Sequence, residues 1–323
     1  MKILITGISG FVARHFVEYL STTGESHEVA GVYFRHKPNF NEFQFPNVDC
    51  SFHRLDLREK DVLTKLLADF QPAYILHLAS QSSVAYSWLY PAESMEENNS
   101  IFLNLIEQTR LSGLGCRILS VGSSEEYGHV KETDLPLLET QIANPVNPYG
   151  ASRAFQQMVS DIYCRNYGLD IIHTRSFNHL GPYQADKFVV SSFAKQVANE
   201  LRDGRKNIML SVGNVDIVRD FTDVRDVVQA YYLLLQSGTT CNIYNVCSGQ
   251  GFVLKDIISM IARLTKTRID WCSDENNIRP SENQKMIGSH AKLTKETGWQ
   301  PKIPLEQSLH DLIEYWSLTP SLA

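Results

Sequence analysis

Apolar and polar residues follow one another along this chain in blocks that predict strands and helices in turn. Ile3–Thr6 reads as an apolar strand that stops at Gly7. From Phe11 to about Thr22, the apolar residues Phe11, Val12, Phe16, Val17 and Leu20 recur at helical spacing on one face. Further strands are expected at Val29–Tyr33, Ser51–Leu55, Tyr74–Leu78, Arg117–Val121 and Ile171–Arg175, with helices near 59–70, 94–112 and 149–167 between them. Such alternation predicts an α/β fold, a doubly wound parallel sheet of Rossmann type with helices on both faces. Sheets of this kind bind ligands at the carboxyl ends of their strands. Here those ends are polar or small: Thr6-Gly7, Phe34-Arg35, Asp56-Leu57, Ala79-Ser80-Gln81 and Gly122-Ser123-Ser124.

Beyond about residue 176 the regularity falls. Helices are expected near 188–203, 224–237 and 253–265, separated by loops that carry Asn178, Arg219, Arg279 and Glu282. The expected division is a dinucleotide-binding domain over 1–175 and a smaller, mixed α/β substrate lobe over 176–323. Segments near 213–248, including Val224–Leu235 and Tyr244–Val246, are expected to return to the sheet.

Composition narrows the classes. The 323 residues are 43% hydrophobic and 20% charged, as in a soluble globular protein. Thirty basic against 36 acidic residues give a net charge of −6, which argues against nucleic acid or a membrane surface as partner. The six cysteines show no Cys-x-x-Cys spacing, so no metal site is expected and a reduced, cytoplasmic setting fits. No signal-peptide pattern precedes the first strand, and no apolar run approaches the ~20 residues that span a bilayer.

Candidate chemistry begins at the first turn. In Gly7-x-x-Gly10-x-x-Ala13, Gly7 permits a tight turn, Gly10 lets the backbone approach a pyrophosphate, and Ala13 allows close helix packing. Free N–H groups at the helix start then face the phosphates. A second element opens at Asn147-Pro148-Tyr149-Gly150-Ala151-Ser152-Arg153. Asn147 suits an N-cap and Pro148 the first helical position. Tyr149 and Arg153 fall one turn apart on the same face. An ordinary phenol ionises near pH ~10, and a fixed cation beside it favours the phenolate. The hydroxyl of Ser123, at the end of the fifth strand, suits a hydrogen bond to a carbonyl or alkoxide there.

On these residues the chain resembles the extended short-chain dehydrogenase/reductases that act on nucleotide sugars. The resemblance covers nearly the whole length. It is carried by Thr6-Gly7-Ile8-Ser9-Gly10-Phe11, His77-Leu78-Ala79-Ser80-Gln81-Ser82, Gly122-Ser123-Ser124-Glu125-Glu126-Tyr127-Gly128 and Asn147-Pro148-Tyr149-Gly150. It continues through Arg175-Ser176-Phe177-Asn178-His179-Leu180-Gly181-Pro182, Val218-Arg219-Asp220-Phe221-Thr222-Asp223-Val224, Tyr244-Asn245-Val246-Cys247-Ser248-Gly249 and Arg279-Pro280-Ser281-Glu282. Within the family the chain looks most like the GDP-4-keto-6-deoxymannose reductases, with the GDP-mannose 4,6-dehydratases next.

The resemblance implies roles. Tyr149 is the proton donor or acceptor at the sugar oxygen, Ser123 orients that oxygen, and Arg153 holds the nicotinamide ribose and tunes the phenol. Gly7, Ser9, Gly10, Phe11, Val12, Leu78, Ala79, Ser80, Gln81, Asn98, Phe177 and His179 fall where the family lines the cofactor. Asp56 and Leu57 hold the adenine side. Ser82, Asn178, Val190, Lys195, Arg219, Arg279 and Glu282 fall where it holds a GDP-linked sugar. For Arg219 the structural alternative is a salt bridge to Asp220 or Asp223. A homodimer is implied too, paired through the helices near 94–112 and 149–167. Phe102, Leu105, Ile106 and the run Phe155, Met158, Val159, Ile162 suit that use or an intramolecular core equally.

Departures from the family pattern sharpen the expectations. Arg153 stands where the family has lysine; it keeps the charge but cannot give up a proton. Ile101-Phe102 stand where Gly-Thr is common. Glu125 follows Ser123-Ser124 and could serve elimination of a C6 hydroxyl, the dehydratase chemistry. Three functions are therefore in play. The favoured one is NADPH-dependent reduction of the C4 keto group of a GDP-4-keto-6-deoxy sugar. The others are 4,6-dehydration on tightly held NADP, and nucleotide binding without turnover. The second strand ends Tyr33-Phe34-Arg35-His36-Lys37 with no acid to hold a ribose 2′-hydroxyl, so Arg35, alone or with His36 or Lys37, is expected to accept a 2′-phosphate and favour NADP(H) over NAD(H).

Overall fold

The computed structural model describes residues 1–41, 44–274 and 283–319, so Arg279 and Glu282 lie outside the described residues. The chain runs β1 (Lys2–Thr6), α1 (Phe11–Thr22), β2 (His27–Tyr33), β3 (Val48–Arg54), α2 (Lys60–Phe70) and β4 (Tyr74–His77). Next come α3 (Val84–Leu89), α4 (Pro91–Leu111), β5 (Arg117–Ser123), α5 (Pro148–Tyr167), β6 (Asp170–Ser176) and β7 (Asn178–Leu180). Then follow α6 (Val189–Arg202), β8 (Asn207–Val212), β9 (Val218–Asp223), α7 (Val224–Ser237), β10 (Ile243–Val246) and β11 (Gly251–Val253). The last are α8 (Leu254–Thr265), β12 (Arg268–Ser273), β13 (Lys285–Met286), α9 (Ala291–Thr297) and α10 (Leu305–Leu318).

Seven strands form one parallel sheet in the order β3-β2-β1-β4-β5-β6-β10. Its first six strands follow the Rossmann order, and the order reverses between β1 and β4, where such sheets bind ligands. Side chains alternate across the sheet. Ile3 and Ile5 of β1 enter a core with Phe16, Val17 and Leu20 of α1 and Val227, Val228 and Leu234 of α7. Leu4 enters the opposite core with Leu63 and Leu67 of α2, Phe102, Leu105 and Ile106 of α4, and Val159 of α5. Phe102, Leu105 and Ile106 are fully buried, so this face belongs to the intramolecular core and not to a dimer contact. Ile101 and Phe102, which stand where Gly-Thr is the common pair, are both buried in this core. Met158 and Ile162 of α5, with Leu103 and Leu111 of α4, are exposed.

A third core joins Phe193 and Val197 of α6, Ile208 and Leu210 of β8, Ile257 and Ile261 of α8, and Leu309 and Leu312 of α10. Here β8 pairs in parallel with β12. A separate small sheet joins β11, β9 and β13, with β7 on β9. Between these parts, α7 packs against α1, and β10 adds the last strand beside β6.

Two findings depart from the sequence reading. Cys164, near the end of α5, and Cys241, just before β10, form a disulfide with their Cα atoms 5.7 Å apart. The pair runs against a fully reduced setting; 77 residues separate the two cysteines, and only the docking of β10 beside β6 brings them together. The helix α10 also lacks a counterpart among the expectations, although Leu305, Leu309, Leu312, Ile313 and Trp316 recur there at helical spacing. Among the described residues no helix is long and apolar enough to cross a membrane.

Candidate active site

The first turn is built by the backbone. Gly7 has φ +75°, and a Cβ there would meet the Ala79 backbone nitrogen at 2.8 Å, so the turn lies flat against the chain leaving β4. Gly7 and Ile8 both donate to the Val32 carbonyl, at 2.9 and 3.1 Å. The N-cap of α1, Gly10, offers no side-chain cap, which leaves the first N–H groups of the helix for an anion.

The start of α5 is set as firmly. Asn147 Oδ1 accepts the Gly150 N–H at 2.7 Å, and its Nδ2 donates to Glu125 Oε2 at 2.7 Å. A Cβ on Gly150 would meet the Glu125 carbonyl at 2.6 Å, so the helix packs directly on the turn that follows β5. Tyr149, 8% exposed, therefore has a fixed backbone, and Arg153 Cζ lies 5.2 Å from the centre of its ring. Such a cation–π contact draws the guanidinium to the phenol. Ser123 Oγ accepts the Glu125 N–H at 3.2 Å, which leaves its own O–H to donate elsewhere.

Strand ends and loops enclose a cavity of about 620 Å³. Its wall holds Gly7, Ser9, Gly10, Phe11 and Val12 from the turn, and Arg35, Asp56 and Leu57 from the ends of β2 and β3. Leu78, Ala79, Ser80, Gln81 and Ser82 follow β4, and Ser123, Glu125, Tyr149 and Arg153 stand beyond β5 and on α5. Phe177, Asn178, His179 and Val190 close it from the other side. The rings of Phe11 and His179 stack at 5.6 Å.

Three expected residues stand elsewhere. Asn98 lies behind the wall, where Oδ1 accepts the Gln81 N–H at 2.8 Å and Nδ2 donates to the Gln81 carbonyl at 3.2 Å, so it braces a loop that does reach the cavity. Lys195 pairs with Asp186 at 2.6 Å. Arg219 Nη1 donates to the carbonyls of Val218 and Asn283 at 2.9 and 2.8 Å, while Asp223 is engaged by Arg225 and Ser308.

The wall also holds residues absent from the sequence reading. Arg58 grips both oxygens of Asp56, at 3.0 and 2.6 Å, and the hydrogen bonds from Arg58 hold that carboxyl below its usual range. Glu97 of α4 faces Arg35 at 3.7 Å. Tyr183, Lys187 and Tyr231 line the wall too. Arg58 directly follows the Asp56-Leu57 pair, a usable signal; Tyr231 sits mid-helix in α7, where nothing local marks it.

A dinucleotide suits this donor set. Ser80 and Arg153 line the wall, Ser80 Oγ and Arg153 Nε are buried polar atoms without a hydrogen-bond partner among the described residues, and the turn offers uncapped N–H groups. The Gly7 turn would hold the diphosphate, Asp56 and Leu57 the adenine, and Arg153 the nicotinamide ribose.

Beneath the wall, His77 donates to or accepts from Thr6 Oγ1 at 2.9 Å and is fully buried. Burial, with the Arg153 charge adding to it, pushes its pKa down to about 3. The unfolded chain takes up this proton near pH 6.5, whereas folded His77 refuses it until about 3. Stability therefore falls with pH across that window, by about 1.4 kcal/mol per unit from this group. Substituting His77→Gln is expected to flatten the stability–pH slope between about pH 6 and 4 by that amount in urea titrations. An unchanged slope would show that His77 takes its proton in the folded state.

Comparison with known proteins gives consistent similarities. Residues 4–312 match the family profile described as GDP-mannose 4,6 dehydratase. The chain is 34% identical to the GDP-6-deoxy-D-mannose reductase of Pseudomonas aeruginosa, over 98% of this chain and 97% of the relative. It is 26% identical to a GDP-mannose 4,6-dehydratase of Vibrio cholerae, over 96% and 92% of the two chains. Among solved structures, RMD from Pseudomonas aeruginosa complexed with NADPH superposes with TM-score 0.84 at 31% identity, over 98% of both chains. A Thermus thermophilus UDP-glucose 4-epimerase complexed with NAD gives 0.85 at 28% identity, over 99% and 100%.

Proposed function

This chain belongs to the GDP-mannose 4,6-dehydratase family, and we propose that within it the protein reduces the C4 keto group of a GDP-4-keto-6-deoxy sugar, such as GDP-4-keto-6-deoxymannose, with NADPH. The observation that carries this reading is its 34% identity, over 98% of its length, to a GDP-6-deoxy-D-mannose reductase. The cavity that gathers Tyr149, Ser123 and Arg153 supports it.

NADPH, when bound, supplies the hydride. Tyr149 Oη gives its proton to the C4 oxygen as that carbon is reduced, and Ser123 Oγ–H holds the same oxygen. Arg153 cannot release a proton at working pH, so it acts on the phenol by charge alone. Ser82, Asn178 and Val190 on the cavity wall, with Arg279 and Glu282 from outside the described residues, are proposed to hold the nucleotide sugar. Residues 1–175, with the returning segments near 213–248, are proposed to carry the dinucleotide, and the remainder of 176–323 the sugar. The reading carries with it a cytoplasmic homodimer, supported for the second copy by exposed Leu103, Met158 and Ile162.

The test is to offer NADPH and freshly generated GDP-4-keto-6-deoxymannose. A reductase consumes NADPH in proportion to sugar. A second reading, 4,6-dehydration, is favoured by the placement of Glu125 on the cavity wall with Oε2 held by Asn147. It predicts no net NADPH consumption and turnover of GDP-mannose itself. Stabilisation by both ligands with no reaction would instead favour the third reading, a binding protein without turnover.

The preference for NADP(H) is proposed on Arg35 and Arg58, two cations on the wall near Asp56. Arg35 is 60% exposed and shared with Glu97, so the lower end of a charged hydrogen bond is the fair expectation. Substituting Arg35→Ala should raise KM for NADPH about tenfold and leave KM for NADH within about twofold. Equal effects on the two cofactors would remove Arg35 from the 2′-phosphate site.

A further inference from the structure

We propose that Gln156, one turn beyond Arg153 on α5, is a positioning residue that fixes the guanidinium at the edge of the cavity beside Tyr149. The proposal rests on the reading above that Arg153 faces the cofactor. Gln156 is 2% exposed. Its Oε1 accepts from Arg153 Nη1 at 2.6 Å, and its Nε2 donates to Ser120 Oγ at 2.8 Å and to the Val121 carbonyl at 3.1 Å. Arg153 Nη1 also reaches the Val121 carbonyl, at 3.2 Å. A guanidinium has only donors, so the end of the amide that faces it must be the oxygen, and the nitrogen must then face Ser120. Gln156 therefore has one orientation, and Arg153 Nη1 is tied at two points.

The tether continues to the other side of the site. Ser120 Oγ meets His173 Nδ1 at 2.9 Å, His173 Nε2 faces the Glu126 carboxylate at 3.2 Å, and Glu126 Oε1 accepts the Ser123 N–H at 2.7 Å. A buried chain of hydrogen bonds thus links the cation beside Tyr149 to the backbone of Ser123. Satisfied networks of this kind rigidify the groups at their ends.

The tether answers a need that arginine creates. Arginine is long and carries its donors in a rigid plane, so one twist about the stem redirects all of them. With Nη1 held by Gln156 and Val121, the guanidinium keeps a single orientation where Arg153 lines the cavity, and its remaining donors are fixed with it. A lysine ammonium is compact and turns its three donors freely, so it has little use for such a guide.

A double-mutant cycle separates this role from a merely structural one. The four proteins are wild type, Gln156→Leu, Arg153→Lys and the double variant. The readouts are NADPH dissociation constant by fluorescence, kcat and KM for the keto sugar, and thermal unfolding. Gln156→Met, which keeps the length of the side chain, replaces Gln156→Leu if the latter does not fold. With Arg153 in place, loss of the amide is expected to weaken NADPH about tenfold and lower kcat about tenfold or more, with KM for the sugar within about twofold. With lysine at 153, the same change is expected to cost less than about threefold in either quantity. Equal losses in both backgrounds, or no loss beside Arg153, overturn the proposal. If wild type binds NADPH but does not reduce the keto sugar, the function proposed above fails while the binding cycle still decides the role of Gln156. If wild type binds no nicotinamide cofactor, both fall together.

Discussion

Replacing Tyr149 with phenylalanine is expected to lower kcat about a thousandfold while NADPH binding stays within about threefold of wild type. The size follows from what is removed. The ring sits 8% exposed on the first turn of α5, beside the Arg153 guanidinium, and phenylalanine keeps that packing. Only the hydroxyl is lost, and with it the proton that must reach the C4 oxygen. General acid catalysis by a positioned group contributes about a hundredfold to ten-thousandfold, and the middle of that range is the expectation. Ser123 retains its hydrogen bond, so KM for the sugar is expected to change little. Stopped-flow loss of NADPH absorbance under single-turnover conditions measures the step. A kcat within about tenfold of wild type would mean that another group supplies the proton.

The second large effect concerns stability, and it separates two adjacent carboxylates. Glu126 is fully buried between the Ser123 N–H, His173 Nε2 and the guanidinium of Arg175, whose Nε lies 3.5 Å away. Arg175 is itself buried, bonded to Gln157 and the Gln141 carbonyl and stacked 4.4 Å from the Tyr127 ring. Glu126→Ala leaves that guanidinium with an uncompensated charge and the Ser123 N–H without its acceptor. Breaking a buried pair in this way costs about 3–5 kcal/mol. For a chain of 323 residues the melting temperature should fall by about 4–7 °C. Glu125→Gln, one residue earlier, keeps a group on the cavity wall that Asn147 can still meet, and its melting temperature should move by no more than about 2 °C. Calorimetry on the two variants checks the contrast. Similar shifts for both would show that the Glu126 cluster does not anchor the end of β5.

Local chemistry made much of the site legible in the sequence. Ile3-Leu4-Ile5-Thr6-Gly7 marks the first strand because both faces of a central strand are buried, and its glycine marks the turn because a positive φ is needed there. Asn147-Pro148 announces the start of α5 because cap and first-turn preferences act within a few residues. The strand ends that were polar or small are the ones on the cavity wall.

What escaped the sequence is what depends on distant chain segments. Tyr231 reaches the wall because α7 returns to the sheet, and the Cys164–Cys241 pair forms because β10 docks beside β6. Lys195 illustrates a different limit. Its type suits a diphosphate, but Asp186, nine residues earlier, takes its ammonium. Gln156 escaped because a glutamine on a helix face carries no signal until its partners, Ser120 and Val121 of β5, are in place.

The central claim is hydride delivery to a sugar carbon with Tyr149 as the proton source. It is tested most directly by turnover with NADPH deuterated at the nicotinamide C4 position, followed by mass spectrometry of the sugar. One deuterium at C4 of the GDP-6-deoxy product, lost in the Tyr149→Phe protein under the same conditions, is the predicted result. A deoxy or keto product formed without label from the added cofactor, or labelled product made at full rate by Tyr149→Phe, would contradict it.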